Sequence, residues 1–318
     1  MSLEKRINIL KESIITDQEL VEKLLPFENF YKAFGQFEHF FISKSILEKI
    51  LFLKKQIIDK PDNFLLNFST LRFMLETLIH SKLLLMEREY IYFLFYSIYD
   101  EQITKTENFI SRLKYEIDLI EKYNQEEKSV KSKIKLTKKS SEEQIRAHFE
   151  SIKEIEKEID ARAEKELTIF WGDFEFMGYF AQKHFMENEF MEKYMQQLDH
   201  LRNLKNEKAK DLFQNEKVKA IFKFKDENDV FIKLKEKRRT WKGKAELTGY
   251  LEEYKLVYEI TSATLHSSSY SIITTPETNE QEQIFALQLI KKYSNVISDN
   301  IFKFLDFDKT STVKVINV

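Results

Sequence analysis

The chain contains very few of the residues that form tight turns. Its 318 residues include 5 Gly, 3 Pro and no Cys, whereas average usage of about 7% Gly and about 5% Pro would give roughly 38 such residues. β-Sandwiches and barrels depend on many Gly- or Pro-containing turns, and phosphate-binding loops depend on clustered glycines. The lack of Cys also excludes thiolate metal sites and cysteine nucleophiles. The sequence therefore predicts an all-α protein, and we expect no bound metal and no cofactor.

Charge and hydropathy indicate a protein without general affinity for polyanions or bilayers. Lys and Arg together number 51, and Asp and Glu together number 53, which leaves a net charge of −2. Any attraction to nucleic acid must then come from local basic patches. Charged side chains interrupt the most apolar stretch, residues 64–99. No uninterrupted apolar run within it therefore approaches the ~18 apolar residues of a membrane span. The first residues have no apolar signal core, so we expect a cytoplasmic protein without membrane contact.

Residues 101–168 differ in composition from the rest of the chain. Two narrow apolar stripes with helical spacing flank the segment from Lys128 to Lys139, which carries six Lys and no acid. This pattern predicts a charged antiparallel helical hairpin, inserted as an arm in a helical core domain formed by 1–100 and 169–318. Two interpretations stay open: a solvated coiled-coil arm without chemistry, and an arm that docks a partner protein. The stripe residues are Phe109, Leu113, Ile117 and Ile120, then Ile145, Phe149, Ile152, Ile155 and Ile159.

A short alternating pattern near 218–235 favours a small β-hairpin over a helix. Elsewhere Pro61 predicts the end of one helix and the start of the next near Asn63. We also expect helices over 247–266 and 279–305. The alternating residues are Ala220, Phe222 and Phe224 before a polar segment, and Val230, Ile232 and Leu234 after it.

A polar stripe crosses the apolar helix predicted after Pro61. Arg72, Glu76 and His80 follow one another at four-residue steps and therefore share one helix face. Burying a guanidinium and a carboxylate is costly unless they are paired, so the stripe needs an explanation. Either Arg72 and Glu76 form a structural ion pair beside a core histidine, or Glu76 orients Arg72 to bind a phosphate.

A second polar stripe lies near the other end of the chain. Tyr254, Tyr258, Ser262 and His266 also repeat every four residues, which places them on one face of one helix. Hydroxyl groups beside an imidazole suit acid–base catalysis on a phosphodiester. The alternative is that His266 caps the last carbonyl groups of its helix, where the helix dipole favours its charged form.

The segment from Lys233 to Lys244 is strongly basic. It contains seven basic residues, one acid and an aromatic residue, Trp241. Such a segment can hold phosphates and stack a base, although many basic segments are simply solvated surface. The candidate nucleic-acid-binding residues are Lys237, Arg238, Arg239 and Trp241.

These motifs follow one another in the order Arg72-x-x-x-Glu76, Trp241-Lys-Gly243, Tyr254 and Tyr258, and Ser262-x-x-x-His266. The order resembles a bacterial family of helical proteins that is in turn similar to the HEPN (higher eukaryotes and prokaryotes nucleotide-binding) domains. The resemblance covers roughly residues 40–100 and 238–300.

The resemblance implies a HEPN-like helical bundle, a likeness to domains that act in host defence and toxin–antitoxin systems, and a homodimer. Many HEPN domains are metal-independent ribonucleases that pair an Arg and a His of one helix across a dimer interface. Here Glu259, Ile260 and Thr261 stand before His266, where that family has an Arg. Arg72 would therefore have to reach His266 from another helix.

Two functional hypotheses follow. In the first, the protein is an RNA- or nucleotide-directed effector, in which Arg72 holds a phosphate, Glu76 orients Arg72 and His266 acts as acid or base with help from Ser262 or Tyr258. In the second, the protein is a non-enzymatic interaction module whose arm docks a partner or a second copy, and the polar stripes are structural.

Overall fold

The described part of the chain is almost entirely helical, which confirms the expected all-α class. The computed structural model describes residues 2–33, 36–133, 141–167, 178–223, 233–235, 238–265 and 280–306. None of the helices in these ranges is both long and apolar enough to cross a membrane. The HEPN-like arrangement of the helices stays a prediction.

The helices are numbered here in chain order. The first six are α1 Leu3–Leu24, α2 Glu28–Ala33 (after a 3-10 turn at Leu25–Phe27), α3 Phe37–Asp59, α4 Phe64–Met86, α5 Tyr90–Ser132 and α6 Glu142–Glu166. Next, α7 Tyr179–Phe185 leads through a π-helical turn, Met186–Met191, into α8 Glu192–Phe213. The last elements are α9 Glu216–Ile221, β1 Phe222–Lys223, β2 Lys233–Leu234, α10 Trp241–Thr248, α11 Leu251–Leu265 and α12 Glu280–Phe304.

The chain divides into two units. The first unit combines Met1–Ser97 with Lys208–Val318, and the second unit is Ile98–Glu207. The expected arm, 101–168, lies within the second unit, which continues to residue 207. Both candidate stripes and the basic segment belong to the first unit.

Helix α4 is the central helix of the first unit and packs against α3, α10, α11 and α12. It is buried around most of its circumference, which explains its long apolar sequence. The Asn63 side chain caps its first turn by accepting from the Leu66 amide over 2.9 Å. Helix α3 ends at Asp59 and α4 begins at Phe64. The helix boundary predicted from Pro61 is therefore confirmed.

A single glycine sets the turn between α10 and α11. Gly249 has a φ of 78°, in the left-handed region that side chains with a Cβ rarely adopt. The Tyr250 amide donates back to the Ala245 carbonyl over 2.8 Å, which satisfies one of the last carbonyl groups of α10. At the other end of α10, Thr240 accepts from the Gly243 amide over 3.1 Å. Both ends of α10 are thus fixed by local hydrogen bonds.

The second unit contains the antiparallel helical hairpin that the two stripes predict. Ile159 and Ala163 of α6 pack with Leu113, Ile117 and Ile120 of α5 in one buried cluster. Polar pairs along the two helices run in opposite chain order, which establishes the antiparallel direction. They are Arg112 with the Glu166 carbonyl, Glu126 with Arg162, and Lys131 with Glu156.

Helix α6 begins with a capping box. The Ser141 hydroxyl accepts from the Gln144 amide over 3.3 Å, and Gln144 Oε1 accepts from the Ser141 amide over 3.1 Å. Two free amide groups of the first turn are thereby satisfied. Residues 134–140 of the basic tip lie outside the described residues.

The β-hairpin expected near 218–235 is only partly correct. Phe222 pairs with Leu234, and Lys223 pairs with Lys233, in an antiparallel ladder of two residues on each side. Residues 218–221, expected to be extended, instead belong to α9. The reason is local: Asn215 Oδ1 accepts from the amides of Lys217 and Val218, which starts a helix.

Candidate functional site

Arg72 and Glu76 form an ion pair on α4, as their four-residue spacing predicts. Arg72 Nε donates to Glu76 Oε1 over 3.0 Å. The two side chains are 26% and 25% exposed, so the pair is partly solvated rather than sealed in the core. Among the described residues, no other side chain or carbonyl accepts a hydrogen bond from the two Nη groups of Arg72. Within the described part of the chain, the outer edge of the guanidinium therefore has no acceptor.

Two tyrosines of α11 complete this cluster. The guanidinium carbon of Arg72 lies 4.9 Å from the centre of the Tyr258 ring, within cation–π distance. The rings of Tyr254 and Tyr258 stack one turn apart, with centroids 5.2 Å apart and planes at 29°. We call Arg72, Glu76, Tyr254 and Tyr258 the Arg–Tyr platform. It joins the two polar stripes of the sequence in one place.

Tyr254 is a hydrogen-bond donor at neutral pH. Burial raises the pKa of its hydroxyl, and the neighbouring Tyr258 and the Glu76 carboxylate raise it further, while the Arg72 charge opposes them. A hydroxyl with a raised pKa stays protonated and can donate to a phosphate or carbonyl oxygen.

His80 does not belong to the platform, although it continues the stripe by one more turn. Its Nδ1 lies 2.9 Å from the Tyr90 hydroxyl, and its ring meets Trp241 edge-on with centroids 4.9 Å apart. Burial, together with the charge of Lys244, lowers the pKa of His80 to about 3. A neutral imidazole with these partners agrees with the interpretation of His80 as a core histidine.

Lys244 is a site residue that the sequence did not identify. It is only 6% exposed, and its ammonium group lies 4.5 Å from the Trp241 ring centre and 5.1 Å from that of Phe93. Burial lowers the pKa of Lys244 to about 8, and the negative charge of Glu76 opposes that shift. Lys244 thus lies close enough to the platform for its positive charge to interact with the Glu76 carboxylate. In the sequence, nothing distinguishes Lys244 from the other lysines of the basic segment.

The residues of the basic segment have separate environments. Arg238 is held by Glu87 through two hydrogen bonds, of which Nε to Oε2 measures 2.7 Å, and this carboxylate raises the pKa of Arg238. Arg239 is exposed, while Trp241 packs on His80. Lys237 lies outside the described residues. The guanidinium of Arg238 therefore already has a partner, whereas that of Arg239 faces solvent.

The C-terminal end of the second stripe is described only in part. Ser262 is half-buried one turn beyond Tyr258, on the α11 face that carries the tyrosines. Thr261 beside it donates to the Val257 carbonyl over 2.7 Å. His266 follows the last described residue of α11 and lies outside the described residues. Of the residues predicted from the two stripes, the structure thus brings Arg72 into contact with both Glu76 and Tyr258.

These observations define an all-α protein in which a partly exposed arginine, Arg72, contacts one ring of a stacked tyrosine pair. The described residues contain no cluster of three or more His, Asp or Glu side chains that could hold a metal ion. No family model, no curated protein and no solved structure matches this chain significantly.

Proposed function

We propose that this protein is an RNA- or nucleotide-directed effector of the HEPN type, and that the Arg–Tyr platform binds the phosphate and a base of its ligand. The observation that carries the proposal is the guanidinium of Arg72. Among the described residues, Glu76 holds one edge of it and Tyr258 holds one face, which leaves the Nη edge for a phosphate. Arginine–phosphate hydrogen bonds are charge-assisted and directional, so a fixed guanidinium loses little freedom on binding.

The tyrosine pair supplies the second half of the recognition. The stacked pair of Tyr254 and Tyr258 forms one aromatic surface, in which Tyr258 is 38% exposed, and bases stack on exposed aromatic rings with little dependence on their identity. A stacked base beside a bound phosphate describes a nucleotide or a single-stranded RNA segment. We assign contacts with further phosphates of the RNA to Arg239, which is exposed, and to Lys237.

Within this proposal, a ribonuclease step needs no metal ion. His266 takes the proton from a ribose 2′-hydroxyl, the 2′-oxygen bonds to the adjacent phosphorus, and the bond from phosphorus to the 5′-oxygen breaks. The departing 5′-oxygen takes up a proton from water, which leaves a 2′,3′-cyclic phosphate and a 5′-hydroxyl, while Arg72 stabilises the charge on the phosphate oxygens. Ser262 assists by donating to a phosphate oxygen. The resemblance to HEPN domains further supports a homodimer and a role in antiviral defence or a toxin system.

A second candidate function is that of an interaction module. The observation that favours it is the exposure of large apolar side chains in the second unit, where Phe149 is 54% and Phe180 is 69% exposed. Exposed aromatic residues on helices are typical of protein-binding surfaces. In this case the arm docks a partner or a second copy of the chain.

Fluorescence anisotropy with labelled single-stranded RNA tests the proposed binding. We expect Arg72→Gln to weaken binding at least about tenfold, because a hydrogen bond to a charged group contributes roughly 1.5–3 kcal/mol. Arg146→Gln removes the same charge from an exposed position on α6 and should change affinity by less than about twofold. Equal affinities of wild type and Arg72→Gln would reject the platform as the binding site.

Incubation of RNA with the protein and a chelator tests the catalytic step separately. Cleavage that survives the chelator and disappears in His266→Ala supports the ribonuclease mechanism. If RNA binds with dependence on Arg72 but stays intact, the ribonuclease step is wrong and a nucleotide-binding effector is the better description. If RNA neither binds nor is cleaved, the interaction module is favoured.

A further inference from the structure

Two ion pairs in and near the Arg–Tyr platform carry no net charge. Glu76 accepts a hydrogen bond from Arg72, so their opposite charges offset one another. Glu87 holds Arg238 of the basic segment in the same way. Because the two charges of such a pair act against one another, the pair attracts a distant anion only weakly. These pairs alone would therefore make a poor phosphate site.

Lys244 of α10 differs from the paired cations. Its side chain is buried, and its ammonium group lies 4.5 Å from the ring centre of Trp241 and 5.1 Å from that of Phe93. Within the described ranges no carboxylate forms an ion pair with it, and Glu76 is the acid whose charge acts on it. Aromatic rings attract an ammonium group but leave its charge in place. A positive charge is thus held close to the platform.

Three titratable groups on the helices around Lys244 carry no charge at neutral pH. His80 of α4 is neutral, because burial and the charge of Lys244 lower its pKa to about 3. Its partner Tyr90 of α5 is protonated, since burial raises its pKa. Tyr254 of α11 is protonated for the same reason. The charge balance at this place therefore depends on two cations, Arg72 and Lys244, and on the Glu76 carboxylate.

We propose that Lys244 is a positioning residue of the platform, whose charge offsets that of Glu76 and leaves the charge of Arg72 available to a phosphate of the ligand. Lys244 acts through Glu76 and does not touch the ligand, since it is only 6% exposed. This inference rests on the proposed binding of RNA at the platform. It adds that the platform recognises the negative charge of a backbone phosphate and not only a stacked base.

A bound phosphate should in turn act on Lys244. Burial lowers the pKa of Lys244 to about 8, so near this pH a part of the molecules has an uncharged lysine. A nearby anion favours the charged ammonium group and raises its pKa. Since coupling between two binding events is reciprocal, a tenfold effect of the lysine charge on RNA affinity corresponds to an uptake of roughly half a proton at pH 8.5.

Isothermal titration calorimetry of the full chain with single-stranded RNA, in two buffers of different ionisation enthalpy at pH 8.5, measures this proton uptake. We expect about half a proton per bound RNA for wild type and less than about 0.1 for Lys244→Met. At pH 7 the variant should bind RNA roughly tenfold more weakly. The variant should fold, because methionine suits this apolar environment better than an ammonium group does.

Two controls separate Lys244 from other sources of protons. Lys242→Met removes a lysine from an exposed position on the same helix and should leave the proton uptake of wild type unchanged. An oligonucleotide of the same sequence with uncharged methylphosphonate linkages should cause no proton uptake, because it brings no anion to the platform.

The inference is overturned if Lys244→Met binds RNA as tightly as wild type at pH 7, or if the two proteins take up equal numbers of protons. Equal uptake with the methylphosphonate oligonucleotide also overturns it. In these cases RNA binding at the platform still stands, provided that Arg72→Gln weakens it. If wild type binds no RNA, the proposed function is rejected and this inference is rejected with it.

Discussion

The Arg–Tyr platform of the first unit has a close geometric counterpart in the second unit. There Arg112 Nε donates to Glu116 Oε1 over 2.8 Å, and the Arg112 guanidinium carbon lies 4.9 Å from the centre of the Tyr115 ring. In the platform, the corresponding distances of Arg72 are 3.0 Å to Glu76 and 4.9 Å to Tyr258. By sequence spacing the two Arg-x-x-x-Glu motifs are indistinguishable.

Their surroundings differ in two ways. The Glu116 carboxylate is fully buried, whereas Glu76 is one quarter exposed. In addition, Arg112 Nη2 donates to the Glu166 carbonyl over 3.0 Å and so connects α5 with the end of α6. The comparison shows that the same motif can connect two helices in one unit, whereas in the other its guanidinium has no further acceptor within the described ranges.

The largest expected contrast between the clusters is in stability. Arg112→Ala removes the ion pair of Arg112 with the buried Glu116 carboxylate and should lower the free energy of unfolding by roughly 3–5 kcal/mol. Arg72→Ala removes a partly solvated pair and should lower it by about 1 kcal/mol or less. Urea denaturation, with hydrogen exchange to locate the loss, measures both. Equal losses would mean that the Arg72 pair is as structural as the other one.

A pH dependence is expected from the buried lysine next to the platform. The pKa of Lys244 falls from 10.5 to about 8 on folding, so between these values the unfolded chain binds more protons. Stability should therefore rise with pH from about 8 to 10.5, and below pH 8 the full penalty, on the order of 3 kcal/mol, is present. Lys244→Met should be more stable than wild type at pH 7 and should lose this rise. Denaturation midpoints across this range test it, and an unchanged slope in the variant contradicts it.

The smallest expected effect concerns the tyrosine rings. Tyr258→Leu should weaken RNA binding about tenfold, because a stacked base contributes roughly 1–3 kcal/mol. Tyr115→Leu removes the equivalent ring from the other cluster, where it is 50% exposed, and should have no effect on affinity. Anisotropy titrations of both variants against one RNA decide the matter. Equal weakening would indicate a general loss of structure rather than a lost contact.

Local sequence signals predicted the helices well because they act over a few residues. The shortage of Gly and Pro, the boundary at Pro61 and the two stripes of the hairpin all correspond to observed features. The failure at residues 218–221 has the same origin, since alternation suggested a strand there while Asn215 at their N-terminal side starts a helix.

The site depends on contacts between residues that are distant in sequence. Arg72 meets Tyr258, and Glu87 holds Arg238 at a separation of 151 residues. No spacing rule indicates such pairs, because tertiary packing determines which helix faces meet. The same holds for Lys244. In the sequence it is one of several lysines in a basic segment, and only the structure shows that it is buried against Trp241.

The left-handed turn at Gly249 has a mechanical consequence. Helix α11 extends from it for 15 residues, or about 22 Å at 1.5 Å per residue. A change of about 10° in the direction of α11 at this turn would move the far end of the helix by roughly 4 Å, more than the length of a hydrogen bond. A small change in the backbone torsions of Gly249 would therefore displace Ser262, which lies near the far end of α11. The position of Ser262 thus depends on the backbone angles of Gly249, some 20 Å away, as well as on the packing of α11 against α4.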